Sequence, residues 1–209
     1  MGTSYSTMED HCAKTEWVLS SAMKNKDKVV DVQQFSDCLM LMKLDMKEGL
    51  VNIISAYVPQ AGCSSEDKAD FWQLLNGVMQ AVLAEEQVLV LEDLNGHLGA
   101  ARAGYEHVHG GHAIGNRNQE GEDVLAFALA YNMALTNTYF KKKDEHLETY
   151  SSSGIKTQIN FCLVQRTQFS LVTNAKVIPG EAVAPQHRLL IMNLKLHPPW
   201  TPTRMMVTS

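Results

Sequence analysis

Val88-Leu-Val-Leu-Glu-Asp-Leu-Asn-Gly-His97 is the stretch on which the fold turns. An apolar run, Gln87 to Leu91, leads straight into three polar residues at alternate positions, Asp93, Asn95 and His97. A short, nearly continuous apolar run reads as a strand buried on both faces. Polar groups at the carboxyl end of such a strand stand where α/β folds place their sites. Alternate side chains of an extended chain share a face, so Asp93, Asn95 and His97 are expected to point together. A carboxylate there can activate a water, and an amide beside it can orient that water or a substrate. The same residues also suit a turn in which Asp and Asn bond the backbone, and the pattern alone favours neither reading.

The flanking sequence supplies the rest of an α/β pattern. Leu39 to Asp45 and Leu50 to Val58 are apolar runs around a turn containing Gly49, which reads as a β-hairpin ended by Pro59. Ser64 and Ser65 can cap a helix beginning near Glu66, and Phe71, Leu74, Leu75, Val78, Met79 and Val82 recur at helical spacing. Strand, helix and strand in succession are an α/β signature. Beyond a loop rich in glycine and histidine, Gly96 to Gly121, comes a second helix with Val124, Leu125, Phe127, Ala128 and Tyr131 on its apolar side. Strands are expected at Met133–Thr138, Leu147–Tyr150, Thr157–Val164 and Arg188–Leu196. Residues 1–17 read as a poorly ordered start, 18–196 as one domain and 197–209 as a tail.

Composition bounds the function classes. The chain has 209 residues, 45% hydrophobic and 20% charged, which suffices for one packed core. The net charge of −5 argues against a dedicated nucleic-acid binder with a basic face. Lys141-Lys142-Lys143 is the only basic run, and so short a run reads as a solvated loop. Four scattered cysteines, Cys12, Cys38, Cys63 and Cys162, make neither a zinc pattern nor a secreted disulfide scaffold. Reduced thiols, the missing signal-peptide pattern and the lack of a long apolar stretch lead to the expectation of an intracellular chain. Met1-Gly2-Thr3-Ser4-Tyr5-Ser6 fits the short and common myristoylation pattern.

Further motifs stand in a fixed order. Tyr57-Val-Pro-Gln60 follows a strand, Thr149-Tyr150 precedes Gln158-Ile-Asn-Phe161, and Pro185-Gln-His-Arg188 opens the last strand. With Glu92-Asp93-Leu94-Asn95 they resemble the endonuclease/exonuclease/phosphatase superfamily. The runs Ile53-Ile-Ser-Ala-Tyr-Val-Pro-Gln, Asn137-Thr-Tyr-Phe, Lys176-Val-Ile-Pro-Gly-Glu and Gln186-His-Arg-Leu-Leu190 look like its branch of RTE and LINE-type retroelement endonucleases. The resemblance covers about Val18 to Leu196. It implies two packed β-sheets flanked by helices, a four-layer α/β sandwich, here truncated at its N-terminus. The implied ancestral activity is magnesium-dependent hydrolysis of DNA phosphodiesters.

The resemblance also assigns roles. Asp93 would be the base for the attacking water and Asn95 would orient the water or the phosphate. His187 would donate to the phosphoryl oxygen where charge develops, and Tyr57 would contact the phosphate. Three positions depart from the superfamily pattern. Glu92 replaces the glycine of G-D-x-N and is expected to turn away from Asp93 into a packed layer. Asn160 replaces an aspartate that holds the histidine in its charged form. Gln186 replaces the aspartate of S-D-H, although glutamine is normal in the retroelement branch. Nothing before Trp17 matches the superfamily's opening strands, the second of which carries a metal-binding glutamate. Glu9, Asp10 and Glu16 are conceivable substitutes on an unfixed segment. The implied state is a domain with weak or lost activity and doubtful magnesium binding. The rival is a non-catalytic interaction or nucleic-acid-associated module that kept the fold.

Two local features have their own readings. His97, His107, His109 and His112 offer possible zinc spacing, against a glycine loop that happens to be rich in histidine. Asn116-Arg117-Asn118 reads as the cap of the second helix, with a phosphate-binding arginine as the alternative.

Overall fold

The computed structural model describes residues 27–47 and 49–195. The N-terminal myristoylation pattern, Glu9, Asp10, Glu16, segment 1–17 and tail 197–209 lie outside the described residues.

The expected hairpin is β2 (Leu39–Met46) and β3 (Gly49–Ala56), antiparallel, with Leu39 opposite Ala56 and Met46 opposite Gly49. The helix α1 (Ser65–Ala81) begins on a capping box: Ser64 Oγ accepts from the Asp67 N–H, and the Asp67 carboxylate accepts from the Ser64 N–H. Its buried stripe is Phe71, Leu75, Val78 and Met79. α1 carries the chain over to β4 (Gln87–Asp93), which runs parallel to β3 from Val51/Gln87 to Ser55/Leu91. The helix α2 (Gln119–Ala130) follows the long loop, and Asn118 caps it.

The remaining strands are β1 (Val29–Ser36), β5 (Met133–Leu135), β6 (Tyr150–Ser152), β7 (Ile155–Thr157), β8 (Asn160–Gln165), β9 (Val172–Ala184) and β10 (His187–Leu194). One sheet has the order β1-β2-β3-β4-β8-β5, the other β7-β6-β10-β9. Successive residues of β2 show how the layers stack. Leu39 and Leu41 join α1 and α2 in one apolar cluster, while Met40, Met42 and Leu44 join Val172, Met192 and Leu194 of the small sheet in the other. Helices, large sheet and small sheet are therefore three consecutive layers among the described residues: the two packed sheets of the expected α/β sandwich are present, with helices described on the large sheet only, not the four layers expected.

Two of the departures from the sequence reading are strands at sheet edges. β1 was not expected, and it is an edge strand whose Val30, Val32 and Phe35 stay exposed. β9 is not among the expected strands either; it holds Pro179 and a Gly180 with φ +85°, both of which an edge strand tolerates. Strands at sheet edges bury little, so their sequence need not alternate. The run from Met133 leaves the sheet after Leu135, and Thr136–Thr138 coil into a 3-10 turn. Leu147–Tyr150 is realised as Tyr150–Ser152, and Thr157–Val164 divides into β7 and β8.

Candidate functional site

Asp93 is the last residue of β4 and Asn160 the first of β8, and the two are register partners. His187 opens β10 in the other sheet. Three strand ends thus bring three polar side chains to one edge of the sheet pair. Asp93 is 1% exposed and His187 7%. Asp93 Oδ2 lies 3.8 Å from His187 Nε2, an ion pair when the imidazole is protonated. On the other side of the ring, Nδ1 lies 3.3 Å from Asn160 Oδ1. An amide oxygen only accepts, so this contact places a proton on Nδ1.

Asn95 reaches the cluster by a different route from the one expected. β4 ends at Asp93, and Asn95 has φ +49°, in the left-handed region that asparagine tolerates. The Asn95 N–H donates to Asp93 Oδ1 at 3.0 Å, and Asn95 Nδ2 donates to the Val58 carbonyl at 2.7 Å. Extended alternation is thereby replaced by a side-chain turn. His97 departs further: its N–H donates to Asn118 Oδ1 and its carbonyl accepts from the Asn118 N–H, which ties it to the start of α2.

Tyr57 follows β3 directly. Burial raises its pKa above the usual value, the charge of Asp93 adds to this, and a hydrogen bond with the Asn95 side chain opposes it. The phenol therefore stands with Asp93 and Asn95 as a neutral donor and acceptor.

Glu92 requires a correction. It is only partly buried. Its anomaly is backbone: φ is +116°, a conformation that L side chains rarely adopt and glycine adopts freely. A glycine, which the resemblance places at this position, would adopt that φ without strain. Non-glycine residues in such regions cost of order 1–3 kcal/mol. Glu92→Gly is expected to raise stability by about 1–2 kcal/mol after the greater chain entropy of glycine is counted. Glu92→Ala removes the carboxylate and keeps the strained φ, so it should gain nothing. Urea midpoints of the two variants separate backbone strain from charge.

Two positions that carried no role in the sequence reading hold Asn160 in place. The buried Thr149 Oγ1 accepts from the N–H groups of Ile159 and Asn160 at 2.9 and 3.1 Å. Asn137 Nδ2 donates to the Asn160 carbonyl, and Asn137 Oδ1 accepts from the Cys162 N–H. Their motifs were legible, but a buried hydrogen-bond partner has no signature in a single sequence.

The histidine loop forms no metal centre among the described residues, where no three His, Cys, Asp or Glu side chains gather to hold an ion. His107 Nε2 contacts Asn132 Oδ1, and His109 is fully buried. Arg117 serves its own loop: it donates to the carbonyls of Leu98 and Ala101, pairs with Glu122 and covers the Tyr105 ring. Magnesium, implied by the resemblance, also fits poorly. Among the described residues Asp93 is the carboxylate that faces this cluster, its two oxygens are engaged by Asn95 and His187, and a hard divalent cation needs several oxygen ligands.

No family model matches the chain. Curated proteins similar to it include craniofacial development protein 2 of Bos taurus, 22% identical over 163 residues, covering 77% of this chain and 27% of that protein. The same protein of Tragulus javanicus is 20% identical over 163 residues, with 77% and 28% covered. The chain thus spans about a quarter of the length of the curated relatives it matches. Similar solved structures include the endonuclease domain of TRAS1, a telomere-specific non-LTR retrotransposon. It has a TM-score of 0.56 and 10% identity, over 79% of this chain and 67% of that one. The 3′ phosphatase NExo from Neisseria, bound to a product DNA hairpin, has a TM-score of 0.56 and 10% identity, over 80% and 71%. An endonuclease/exonuclease/phosphatase family protein from Leptotrichia buccalis has a TM-score of 0.53 and 14% identity, over 81% and 61%. The chain has the fold of these proteins, and its curated resemblance is to craniofacial development protein 2.

Proposed function

We propose that this chain is a retroelement-derived, endonuclease-like domain that keeps the phosphodiester-cleaving fold and has weak or lost activity. The carrying observation is Asn160 against His187 Nδ1, where the superfamily pattern has an aspartate. In the proposed chemistry Asp93 takes a proton from the attacking water. His187 donates from Nε2 to the phosphoryl oxygen, which requires an imidazolium. An orienting carboxylate stabilises that cation and an amide does not, a difference that can be worth about 10⁴ in rate. Asp93 Oδ2 also faces Nε2 and competes for the same proton. Asn95 has one amide proton committed to Val58, so its remaining capacity orients water better than phosphate. Tyr57 supplies the phosphate contact. No step is routed through magnesium, because the described donors do not suit it.

The test is magnesium-dependent nicking of supercoiled plasmid DNA, with Asp93→Ala as background. Wild type is expected at or barely above that background; weak nicking that Asp93→Ala abolishes would favour a degenerate enzyme over the non-catalytic rival, and vigorous nicking would overturn the reading. Asn160→Asp is also expected to stay at background. Residues acting as one unit are non-additive, so restoring the partner of His187 does not restore a constellation short of other parts. Titration calorimetry with low-millimolar magnesium should show little heat; tight stoichiometric binding would mean that ligands from outside the described residues complete a site.

The rival reading, a non-catalytic interaction or nucleic-acid-associated module, is favoured by the same self-pairing of the site's polar groups. DNA is the partner class to test first, since NExo was solved with a DNA hairpin. An intracellular setting is proposed from the scattered cysteines, whose spacing makes no disulfide framework. No helix among the described residues is long and apolar enough to cross a membrane.

A further inference from the structure

We propose that Gln186 and Tyr150 are positioning residues for His187, joined in a side-chain clasp that fixes the imidazole in the site. This rests on the reading of His187 as the proton donor. β6 and β10 share one registered pair, Tyr150 and His187. Backbone hydrogen bonds bracket it: Ser151 N–H to the Gln186 carbonyl at 2.8 Å, and Arg188 N–H to the Thr149 carbonyl at 2.9 Å. The Tyr150 ring meets the imidazole edge-on, with centroids 4.9 Å apart and planes at 68°. So short a sheet contact leaves the orientation of both rings to their side-chain neighbours.

Gln186 supplies those neighbours. It occupies the turn between β9 and β10 with φ +71°, a left-handed conformation unusual for glutamine. Its side chain lies across β6: Tyr150 Oη donates to Gln186 Oε1 at 2.9 Å, and Gln186 Nε2 donates to Ser152 Oγ at 2.9 Å. The amide thus uses both ends to tie Tyr150 to the strand residue two positions on. A carboxylate would hold the imidazole through a strong charge-assisted bond, but the Asn160 contact is a neutral one at 3.3 Å. The ring contact from Tyr150 therefore adds to the alignment given by Asn160 on one side and Asp93 on the other. Glutamine suits this task because it offers an acceptor and a donor at once.

The test reads the imidazole and needs no catalysis. In the full chain, ¹⁵N and ¹H NMR of His187 is expected to show a single tautomer with a slowly exchanging Nδ1 proton. Tyr150→Phe keeps the ring and cuts the tie; Gln186→Ala removes the bridge. Both should speed exchange of that proton by about tenfold or more and mix the tautomers, with melting temperatures close to wild type. Gln186→Glu keeps the acceptor for Tyr150 but loses the donor to Ser152, so it should give only the small change expected of Ser152→Ala. Should a variant fold poorly, Ser152→Ala cuts only the outer bond and should give a smaller change in the same direction. Unchanged His187 signals in both Tyr150→Phe and Gln186→Ala would overturn the clasp. The NMR readout does not depend on nicking, so a wild type at background leaves the clasp testable.

Discussion

Gly121→Ala is expected to destabilise the chain by about 3 kcal/mol, at the upper end of what overpacking costs. A Cβ on Gly121 would lie 1.9 Å from the His97 carbonyl oxygen and 2.6 Å from its carbon. No rotamer relieves this, because the obstacle is backbone. The crossing is tight from the other side too: a Cβ on Gly96 would lie 2.7 Å from the Glu120 carbonyl oxygen. Asn118 stitches the two segments, its Oδ1 accepting from the N–H groups of both His97 and Gly121 at 2.9 Å. The loop leaving Asp93 is therefore pressed onto the first turn of α2, and Asn95 sits next to the crossing. The alanine should displace that loop as well as lower the urea midpoint. Gly77 is the control, since it lies in α1 with open space around its would-be Cβ. Gly77→Ala should gain roughly 0.5–1 kcal/mol from helix propensity. Equal behaviour of the two variants would refute the close-packing argument.

What the sequence discloses follows from where burial makes it repetitive. β4 is legible because Val88, Leu89 and Val90 are all buried between two packed layers, so the residue that ends the run marks a strand end. α1 is legible because its capping box and its stripe agree. β1 and β9 are not, because one face of an edge strand has little to pack against. At the site, Asp93, Asn160 and His187 could be ranked from motif order, but their distances could not. Asn95 was placed near Asp93 for the wrong geometric reason: a left-handed turn does what alternation was expected to do. Glu92 was identified as out of place on grounds of charge burial, whereas its backbone dihedral is the stronger reason. Thr149, Asn137 and Tyr150 act by contacts between segments far apart in the chain, and residue type alone does not encode those.

The second large effect is a loss of stability on mild acidification, caused by His109. Its side chain is fully buried, and burial pushes its pKa down from 6.5 to about 4, with Arg117, Arg102 and His112 adding positive charge nearby. Its Nδ1 accepts from the Gly111 N–H at 3.1 Å, a bond that requires an unprotonated Nδ1. Between pH 6.5 and 4 the unfolded chain binds a proton at this histidine and the folded chain does not. Stability must then rise with pH across that window and level off above it. One pKa unit corresponds to about 1.4 kcal/mol, so about 3 kcal/mol is lost between pH 7 and pH 4, most of it above pH 4.5. The depressed carboxylates act elsewhere on the scale. Glu86, held by Lys43 and Asn52, and Glu120, held by Lys68, contribute stability that is lost only as pH falls below their unfolded values near 4.5. Urea titrations at pH 7 and pH 4.5 therefore isolate the histidine. His109→Gln should flatten the curve in that interval by about 2–3 kcal/mol while leaving the steeper decline below it. A variant as acid-sensitive as wild type between pH 7 and 4.5 would show that His109 is not the group that titrates.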